Sequence, residues 1–184
     1  MIRKTIKKIL PIKKYVEVSG SIIPSRYSRC CGSEFKDDNY YLESAEKESN
    51  RLIDYFQCTQ QSRIFDIGCG QGRLPIGILR VIGEINYIGI DIDRKSINWC
   101  KQYIESKHPS FKFKHLNIYN ERYNKNGVKI DAGFCFDVAE NSFDIIYLFS
   151  VFSHTTEEDM RAYLRDFSRI LDKGGKMFFT TFVE

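Results

Sequence analysis

The chain has 184 residues, enough for one domain with a hydrophobic core, and its 42% hydrophobic and 28% charged residues are ordinary for a globular protein. No apolar run approaches the roughly 20 residues that a membrane-spanning helix needs, so the sequence predicts no membrane span. The formal net charge of +4 is unevenly distributed, because residues 3–14 hold six basic side chains and no acidic one. We therefore interpret residues 1–40 as a basic arm and an irregular segment, and residues 41–184 as the folded domain.

The basic arm has two interpretations. It is either a solvated tail or a weak contact with an anionic surface such as a membrane. Its basic residues are Arg3, Lys4, Lys7, Lys8, Lys13 and Lys14. Lysines interrupt the N-terminal sequence throughout, which is unlike a secretory signal.

The cysteines also bear on location and on metal binding. The chain has six cysteines without C-x-x-C spacing, which we interpret as reduced thiols of a cytoplasmic protein. The adjacent pair Cys30 and Cys31 has no second group of ligands beside it in the sequence. The sequence therefore predicts no metal site.

Hydrophobic periodicity predicts alternating helices and strands after residue 40. In chain order these are a helix over 41–56, a strand at 64–67, a helix over 74–81, a strand at 86–92, a helix over 96–106, strands at 111–118 and 143–150, a helix within 155–175 and a strand at 176–182. Thr155 and Glu158 have capping-box spacing at the start of the last helix, and Gly174 and Gly175 are predicted to end it. The alternation predicts an α/β domain with a mainly parallel sheet, whose ligands lie beyond the carboxyl ends of the strands.

Three alternate glycines follow the first of these strands, in the segment RIFDIGCGQGRL. Glycine allows a tight turn, a positive φ and close approach of a ligand to the backbone. A dinucleotide-binding G-x-G-x-x-G motif would need glycine where this chain has Arg73. The pattern is instead D-x-G-x-G-x-G, formed by Asp66, Gly68, Gly70 and Gly72.

A carboxylate ends the next strand, in the segment YIGIDI. This residue is Asp91, 23 residues after Gly68. A carboxylate in this place can accept hydrogen bonds from both hydroxyls of a ribose. Together with the glycines, it favours a ligand that contains adenosine.

Over residues 41–184 the chain resembles the class I S-adenosylmethionine-dependent methyltransferases. The segments that carry the resemblance are FDIGCGQGR, GIDI, ENSFDIIYLFSVFSH and YLRDFSRILDKGGKMFFTTF. The resemblance implies a Rossmann-like, doubly wound sheet and methyl transfer from S-adenosylmethionine, with S-adenosylhomocysteine as product. The GCGxGR and SVFSH segments are most similar to small-molecule methyltransferases, which implies O- or N-methylation of a small acceptor.

The resemblance also implies a set of cofactor-binding residues. These are Asp66, Gly68, Cys69, Gly70, Gly72, Arg73, Asp91, Ile92, Asn117, Ile118, Phe149 and Ser150. Asp66 would hold the glycine loop and reach the methionine amino group, and Ile92 would cover the adenine. Asn117 stands where many members carry an aspartate for the adenine amino group.

Several of these residues have a second interpretation. Asp66 could instead satisfy nearby backbone N–H groups. Arg73 could pair with a surface carboxylate, with the cofactor carboxylate or with an anionic acceptor. Cys69 is interpreted as a small loop residue, and Trp99 as part of the core.

His154 is the candidate catalytic residue. It follows the fourth strand of the sheet, just before a helix, and could remove a proton from an acceptor hydroxyl or amine. Its alternative is a structural role in the loop. We expect the acceptor pocket to open over residues 150–154, with Tyr40 or Tyr41 as part of its roof.

The acceptor itself is not identified by the sequence. Motifs of DNA amino methyltransferases and of cytosine-C5 enzymes are absent from the chain. The basic arm keeps an RNA methyltransferase open, although aromatic residues are not interleaved with its lysines as base stacking would require. We therefore predict a small-molecule acceptor and no nucleic-acid partner.

The fifth strand of the sheet raises a further alternative. The family normally adds two strands after this fifth strand, so we expect that the chain lacks these C-terminal strands. The chain is then either an enzyme or a cofactor-binding module without turnover. Its apolar segment KMFFTTF would then be an open sheet edge. We predict that this edge pairs with another copy of the chain or with a further segment.

Overall fold

A computed structural model describes residues 13–29, 32–131 and 133–181. Most of the predicted basic arm, and the pair Cys30 and Cys31, therefore lie outside the described residues. The strands are β1 (Tyr15–Val18), β2 (Ser21–Pro24), β3 (Arg63–Ile67), β4 (Asn86–Asp91), β5 (Phe111–His115), β6 (Phe143–Leu148) and β7 (Leu171–Phe179). The α-helices are α1 (Asp38–Phe56), α2 (Arg73–Val81), α3 (Arg94–Cys100) and α4 (Glu157–Ile170), and a π-helical turn, Lys101–Glu105, continues α3.

The central sheet contains five strands in the order β5-β4-β3-β6-β7. Every neighbouring pair is parallel, which confirms the predicted α/β class and the doubly wound, Rossmann-like sheet. The strand order reverses between β3 and β6, because the chain first moves outward through β4 and β5 and then returns to the other side of β3. Ligands of such sheets bind outside the carboxyl ends of the strands at this point.

Two hydrophobic layers cover the sheet. Residues of α1, α2 and α3 form one layer with the inward side chains of β3, β4 and β5, and residues of α4 and of the 116–142 connection form the other. The first layer depends on a close helix contact, because a Cβ at Gly77 of α2 would lie 2.0 Å from the carbonyl oxygen of Ala45 in α1. α1 is thereby held against α2, next to the loop that precedes α2.

The segment 15–40, predicted to be irregular, contains a β-hairpin. β1 and β2 pair antiparallel with Val18 opposite Ser21, so the turn consists of Ser19 and Gly20. Both turn residues have positive φ, 48° and 77°, as a type I′ hairpin turn requires. The prediction of an irregular segment was wrong here, because two strands of only four residues each show little periodicity until they pair.

The boundaries of α1 and α4 differ from the prediction. α1 begins at Asp38, since the carboxylate of Asp37 accepts a hydrogen bond from Tyr40 N at 2.9 Å and caps the helix. α4 is capped by Thr156, not by Thr155, and ends at Ile170. The pair Gly174 and Gly175 therefore does not end the helix but lies in β7, near an irregularity in its pairing with β6.

β7 lies at one edge of the five-stranded sheet. Its Phe178 ring stacks on Tyr147 of β6 with the centroids 4.8 Å apart, whereas Phe179 and Met177 are exposed. Pairing of this edge with a second copy stays a prediction. In the described part of the chain no helix has both the length and the apolar character that membrane crossing needs.

Candidate functional site

The predicted site residues meet at the carboxyl edge of the sheet. Residues 68–72 connect β3 to α2, Asp91 ends β4, Asn117 follows β5, and residues 149–154 follow β6. Because all of these strands are parallel, their following loops lie along one edge, beside the point of strand-order reversal.

The glycine loop is fixed by its own backbone. Gly68 N and Cys69 N both donate to the carbonyl of Ile90, at 2.8 and 3.1 Å. Gly68 has φ +76°, and a Cβ there would lie 2.5 Å from Val151 Cγ2. Glycine at position 68 is therefore required by the close approach of the loop that follows β6.

Gly70 and Gly72 differ in what lies beside them. A Cβ at Gly70 would meet no atom within 4 Å, so its α-carbon faces open space. A Cβ at Gly72 would lie 2.6 Å from Ile104 Cδ1 and 3.2 Å from Cys100 Sγ, so this glycine packs against the core. Only Gly70 of this pair offers its backbone to a ligand.

Asp91 holds the glycine loop. Its Oδ2 accepts a hydrogen bond from Gly70 N at 2.7 Å, and its Oδ1 accepts one from Asp93 N at 2.7 Å. Burial raises the pKa of Asp91, while these two N–H groups counteract the rise. Each carboxylate oxygen retains a further lone pair, so hydroxyl donors can still bind there.

Asp66 does not hold the loop in the way that was predicted. Its side chain is buried, with 3% exposed, and accepts a hydrogen bond from the hydroxyl of Tyr87 in β4. Burial raises the pKa of Asp66 to about 7, and the Tyr87 hydrogen bond lowers it in part. The reason is geometric, because Asp66 lies within β3 and its buried carboxylate meets Tyr87, whereas Asp91 is the last residue of β4 and reaches Gly70 N.

Arg73 lies between two aromatic rings. Its guanidinium carbon is 5.4 Å from the ring centroid of Phe35 and 5.0 Å from that of Phe149. Nη1 also donates to the carbonyl of Ser44 at 3.4 Å and lies 3.8 Å from the buried carboxylate of Glu48. The carboxylate partner of Arg73 is thus buried rather than on the surface, and the rings add cation–π attraction.

The residues expected at the adenine side occupy different environments. Ile92 packs against the hydrophobic layer that contains α4, and Ile118 is part of this layer. Asn117 is exposed, and its Oδ1 accepts a hydrogen bond from Asn124 Nδ2 at 3.2 Å. The residue is therefore accessible, but its amide oxygen already has one donor.

Phe149 and Ser150 form the turn after β6. Ser150 has a positive φ of 57°, and its N–H donates to Thr180 Oγ1 at 2.7 Å. Phe149 is exposed and contacts Arg73. These residues therefore face the same edge as the glycine loop.

His154 is exposed at the end of a short 3-10 helix, Phe152–His154. Its ring lies edge-on to Tyr123, with the centroids 5.7 Å apart, and its carbonyl accepts a hydrogen bond from Asn120 Nδ2 at 2.8 Å. The ring is thus accessible from solvent, as a proton acceptor would need to be.

Two other sequence interpretations can be compared with the structure. Burial raises the pKa of the Cys69 thiol well above its ordinary value, so Cys69 is a buried loop residue with little thiolate. Trp99 is in the core, and its indole N–H donates to the carbonyl of Lys14 at 2.9 Å. Tyr41 is buried beneath the guanidinium of Arg29, so it is not part of a roof over the acceptor pocket.

Sequence reasoning missed some residues near the site. Phe35, not Tyr41, reaches the edge through Arg73. Glu48 and Tyr87 bring buried polar groups next to the loop, and both lie in elements whose pattern indicated only packing. Tyr123 lies in a polar stretch without periodicity. A search for aromatic residues interleaved with basic ones, applied beyond the N-terminal arm, would have found Tyr123.

Comparison with known proteins identifies the family. Residues 65–177 match the family described as methyltransferase domain. The chain belongs to this methyltransferase family. The matched region runs from β3 to β7 and so includes the whole carboxyl edge described above.

Two curated methyltransferases are similar to parts of this chain. Methyltransferase 235L of Invertebrate iridescent virus 6 is 30% identical over 87 residues, which are 47% of this chain and 31% of the viral protein. An uncharacterized methyltransferase of Schizosaccharomyces pombe is 23% identical over 143 residues, which are 75% of this chain and 47% of the yeast protein. The chain spans a third to a half of the length of these relatives.

Solved structures show the same fold. The PH0226 protein of Pyrococcus horikoshii aligns with a TM-score of 0.59 at 18% identity, over 85% of this chain and 66% of that one. A protein of Methanococcus maripaludis described as an S-adenosyl-L-methionine-dependent methyltransferase aligns with a TM-score of 0.56 at 17% identity, over 76% of this chain and 56% of that one.

The residues at the edge fit the methyl donor that the family implies. S-adenosylmethionine carries ribose hydroxyls, a cationic ammonium group and a cationic sulfonium. Open space beside Gly70 admits a ligand to the backbone, and Asp91 provides acceptors for hydroxyls at the same place. The carboxyl group of Asp66 adds a further acceptor in the adjacent strand.

Proposed function

We propose that this methyltransferase binds S-adenosylmethionine at the carboxyl ends of β3 and β4 and methylates a small-molecule acceptor on oxygen or nitrogen. The observation that carries the proposal is the pairing of Gly70 with Asp91. A glycine with no neighbour at its α-carbon is hydrogen-bonded to a carboxylate that can still accept hydroxyl donors. The family assignment supports the reaction class.

Each residue of the edge has a proposed task in holding the donor. Asp91 would bind the ribose hydroxyls, and the backbone around Gly70 would lie against the ligand. Asp66 would orient the methionine amino group through its carboxyl, and Ile92, Asn117 and Ile118 would bound the adenine. Arg73, held between two rings, would keep its positive charge at the same edge.

The acceptor would lie over residues 149–154. When bound, the sulfonium supplies an electrophilic methyl group with a neutral leaving group. Phe149 and Ser150 would position the acceptor, and a ring nitrogen of His154 would take the proton from its hydroxyl or amine. Most of the rate is expected from alignment of the acceptor, since little other protein chemistry is needed.

The first experiment measures binding and transfer separately. Calorimetry with S-adenosylhomocysteine tests the donor site, and methyl-labelled S-adenosylmethionine with a metabolite extract tests transfer. We expect binding to the unchanged chain and label in a small molecule. Binding without transfer to any acceptor would favour a cofactor-binding module, and label in added RNA would favour an RNA methyltransferase.

The same proposal includes a cytoplasmic location and a weak contact of the basic arm with an anionic surface. It includes no nucleic-acid partner and no metal.

A further inference from the structure

The connection that follows β5 contains a short loop, residues 117–129, which we name the tyrosine loop. Its tip is closed by Asn120 and Asn124, whose backbone groups exchange two hydrogen bonds of 3.0 Å. Asn120 Oδ1 also accepts hydrogen bonds from Arg122 N and Tyr123 N, both at 3.0 Å. The tip therefore has a defined shape that displays the side chains of Arg122 and Tyr123.

The base of the tyrosine loop is equally well defined. Val128 N donates to the Asn117 carbonyl at 3.0 Å, and Tyr119 N donates to the Val128 carbonyl at 2.8 Å. A Cβ at Gly127 would lie 2.0 Å from the Ile118 carbonyl oxygen, so glycine permits the two segments to touch. The loop is thus a built element of the fold.

Two contacts join the tyrosine loop to His154 of the proposed site. Asn120 Nδ2 donates to the carbonyl of His154 at 2.8 Å, and the Tyr123 ring lies 5.7 Å from the His154 ring. Within the loop, Asn124 Nδ2 donates to Asn117 Oδ1 at 3.2 Å. The loop therefore extends from the residue expected beside the adenine to the residue expected beside the acceptor.

The side chains that the loop displays combine rings with positive charge. Tyr119 is 37% and Tyr123 48% exposed. The Lys129 ammonium lies 5.6 Å from the Tyr119 ring centroid, and the Arg122 guanidinium lies 5.1 Å from the Tyr123 ring centroid. Lys125 is exposed between them.

These cations are not neutralised by neighbouring acids. Residues 117–129 contain three basic side chains and one acidic one, Glu121. Of the ion pairs formed among the described residues, none includes Arg122, Lys125 or Lys129. An exposed aromatic ring beside an unpaired cation is suited to a planar molecule that carries negative charge.

We propose that the tyrosine loop recognises the methyl acceptor, and that this acceptor is a small planar molecule with an anionic group. The inference rests on the proposed function. The ring of the acceptor stacks on Tyr123, its anionic group pairs with Arg122 or Lys125, and its nucleophilic atom faces His154. A long single-stranded nucleic acid would need a basic groove that continues beyond the loop. Apart from residues 3–14, the chain carries 22 basic and 24 acidic residues, and this balance favours a small anion over a long polyanion.

The test uses probes that separate ring, charge and source. With S-adenosylhomocysteine present in excess, calorimetry compares uridine monophosphate and 4-hydroxybenzoate with their uncharged counterparts, uridine and 4-hydroxybenzamide. Cyclohexanecarboxylate supplies the charge without the planar ring. We expect at least one planar anion to bind about tenfold more tightly than its uncharged counterpart and than the non-planar anion. Which planar anion binds decides between a nucleotide and an aromatic carboxylate.

Variants connect this binding to the loop. We expect Tyr123→Ala and Arg122→Ala each to weaken the binding of the planar anion about tenfold. Tyr55→Ala and Lys47→Ala are matched controls, because both residues are exposed on α1, across the sheet from the loop. Tyr123→Leu keeps bulk without an aromatic face, so it separates stacking from loop stability, and circular dichroism confirms folding.

The outcomes distinguish this proposal from the proposed function. Equal binding of charged and uncharged probes, or equal losses in the loop variants and the α1 controls, would overturn the tyrosine loop as an acceptor site. An oligouridylate that binds much more tightly than uridine monophosphate, with a steep dependence on salt, would also overturn it. Failure of S-adenosylhomocysteine to bind would instead refute the donor site. The probe titrations repeated without S-adenosylhomocysteine would still report on the loop.

Discussion

On the donor side of the sheet edge the proposed site consists of backbone groups and carboxylates, whereas on the acceptor side it consists of exposed side chains. Gly70 N, Asp91 and Asp66 are each engaged in an internal hydrogen bond. Tyr123 and His154, in contrast, are exposed. Both sides are reached by loops from the same parallel sheet.

This difference has an energetic consequence. A buried carboxylate or a strained glycine is coupled to the fold, because its replacement leaves polar groups unsatisfied or atoms in collision. An exposed side chain is coupled mainly to the ligand. Changes on the donor side are therefore expected to have large effects that need folding controls, and changes on the acceptor side to have smaller and more selective ones.

The largest effect is expected from Gly70→Val, which should abolish measurable binding of S-adenosylhomocysteine in a folded protein. The new side chain would enter the open space beside Gly70, where the ligand is proposed to lie. Calorimetry measures the binding. Gly20→Val is the matched control, because Gly20 also has a positive φ, +77°, and no neighbour within 4 Å, but lies in the hairpin turn. Loss of the circular dichroism signal together with binding in Gly70→Val would indicate a purely structural glycine.

Asp91→Ala should weaken the binding of S-adenosylhomocysteine at least about a hundredfold, since two charge-assisted hydrogen bonds are each worth roughly 1.5–3 kcal/mol. It also removes the acceptor of Gly70 N, so the loop is less well held. Asp37→Ala is the control, because it removes another carboxylate that accepts a backbone N–H, at the start of α1. Unchanged affinity in Asp91→Ala would show that the ribose is placed wrongly.

His154→Ala should lower turnover about a hundredfold while the affinity for S-adenosylhomocysteine stays the same. The physical reason is the loss of the proton acceptor beside the acceptor molecule. Turnover is measured from about pH 6 to about pH 9, with His108→Ala as control, since His108 lies at the other end of β5 beside Glu84. Wild-type turnover over this range would leave His154 as a structural residue of the loop.

The smallest effect concerns stability and tests how strongly the donor side is coupled to the fold. The pKa of Asp66 rises on folding from an ordinary value of 3.8 to about 7. Between these values the folded state keeps a proton that the unfolded state releases, so the free energy of unfolding falls as the pH rises and is level above pH about 7. This fall is expected to be at least about 1 kcal/mol, and Asp66→Asn should remove it. Urea unfolding across the pH range measures the free energy of unfolding of both proteins.

Asp144 is expected to contribute to the pH dependence of stability with the opposite sign, so Asp144→Asn should remove a rise, not a fall, in the free energy of unfolding as the pH increases. Hydrogen bonds from Arg63 lower the pKa of Asp144, so its ionised form stabilises the folded state above the ordinary carboxyl pKa and this contribution is lost in acid.

For Asp66 the contradicting outcome is also defined. Parallel pH profiles of Asp66→Asn and the unchanged protein between about pH 4 and pH 7 would contradict the assignment of Asp66 as a buried acid that is protonated in this range.

The sequence by itself determined the parallel sheet, the glycine loop and the carboxylate at the end of β4. These features depend on local patterns, because apolar runs form buried strands and alternate glycines after a strand form a tight turn. The family could be predicted from the same segments. Gly68 and Gly72 are glycines that packing requires, yet the sequence alone did not separate them from Gly70.

Only the tertiary structure decided which carboxylate holds the loop, which ring covers Arg73 and which segment lies beside His154. Asp91 and Gly70 are 21 residues apart in the chain, and Asn120 and His154 are 34 apart, so these contacts arise from strand order and not from local sequence. The hairpin at β1 and β2 depends on a pairing that no single strand displays. Side chains in loops without periodicity obtain their neighbours from the whole fold, and for this reason the tyrosine loop became visible only in the structure.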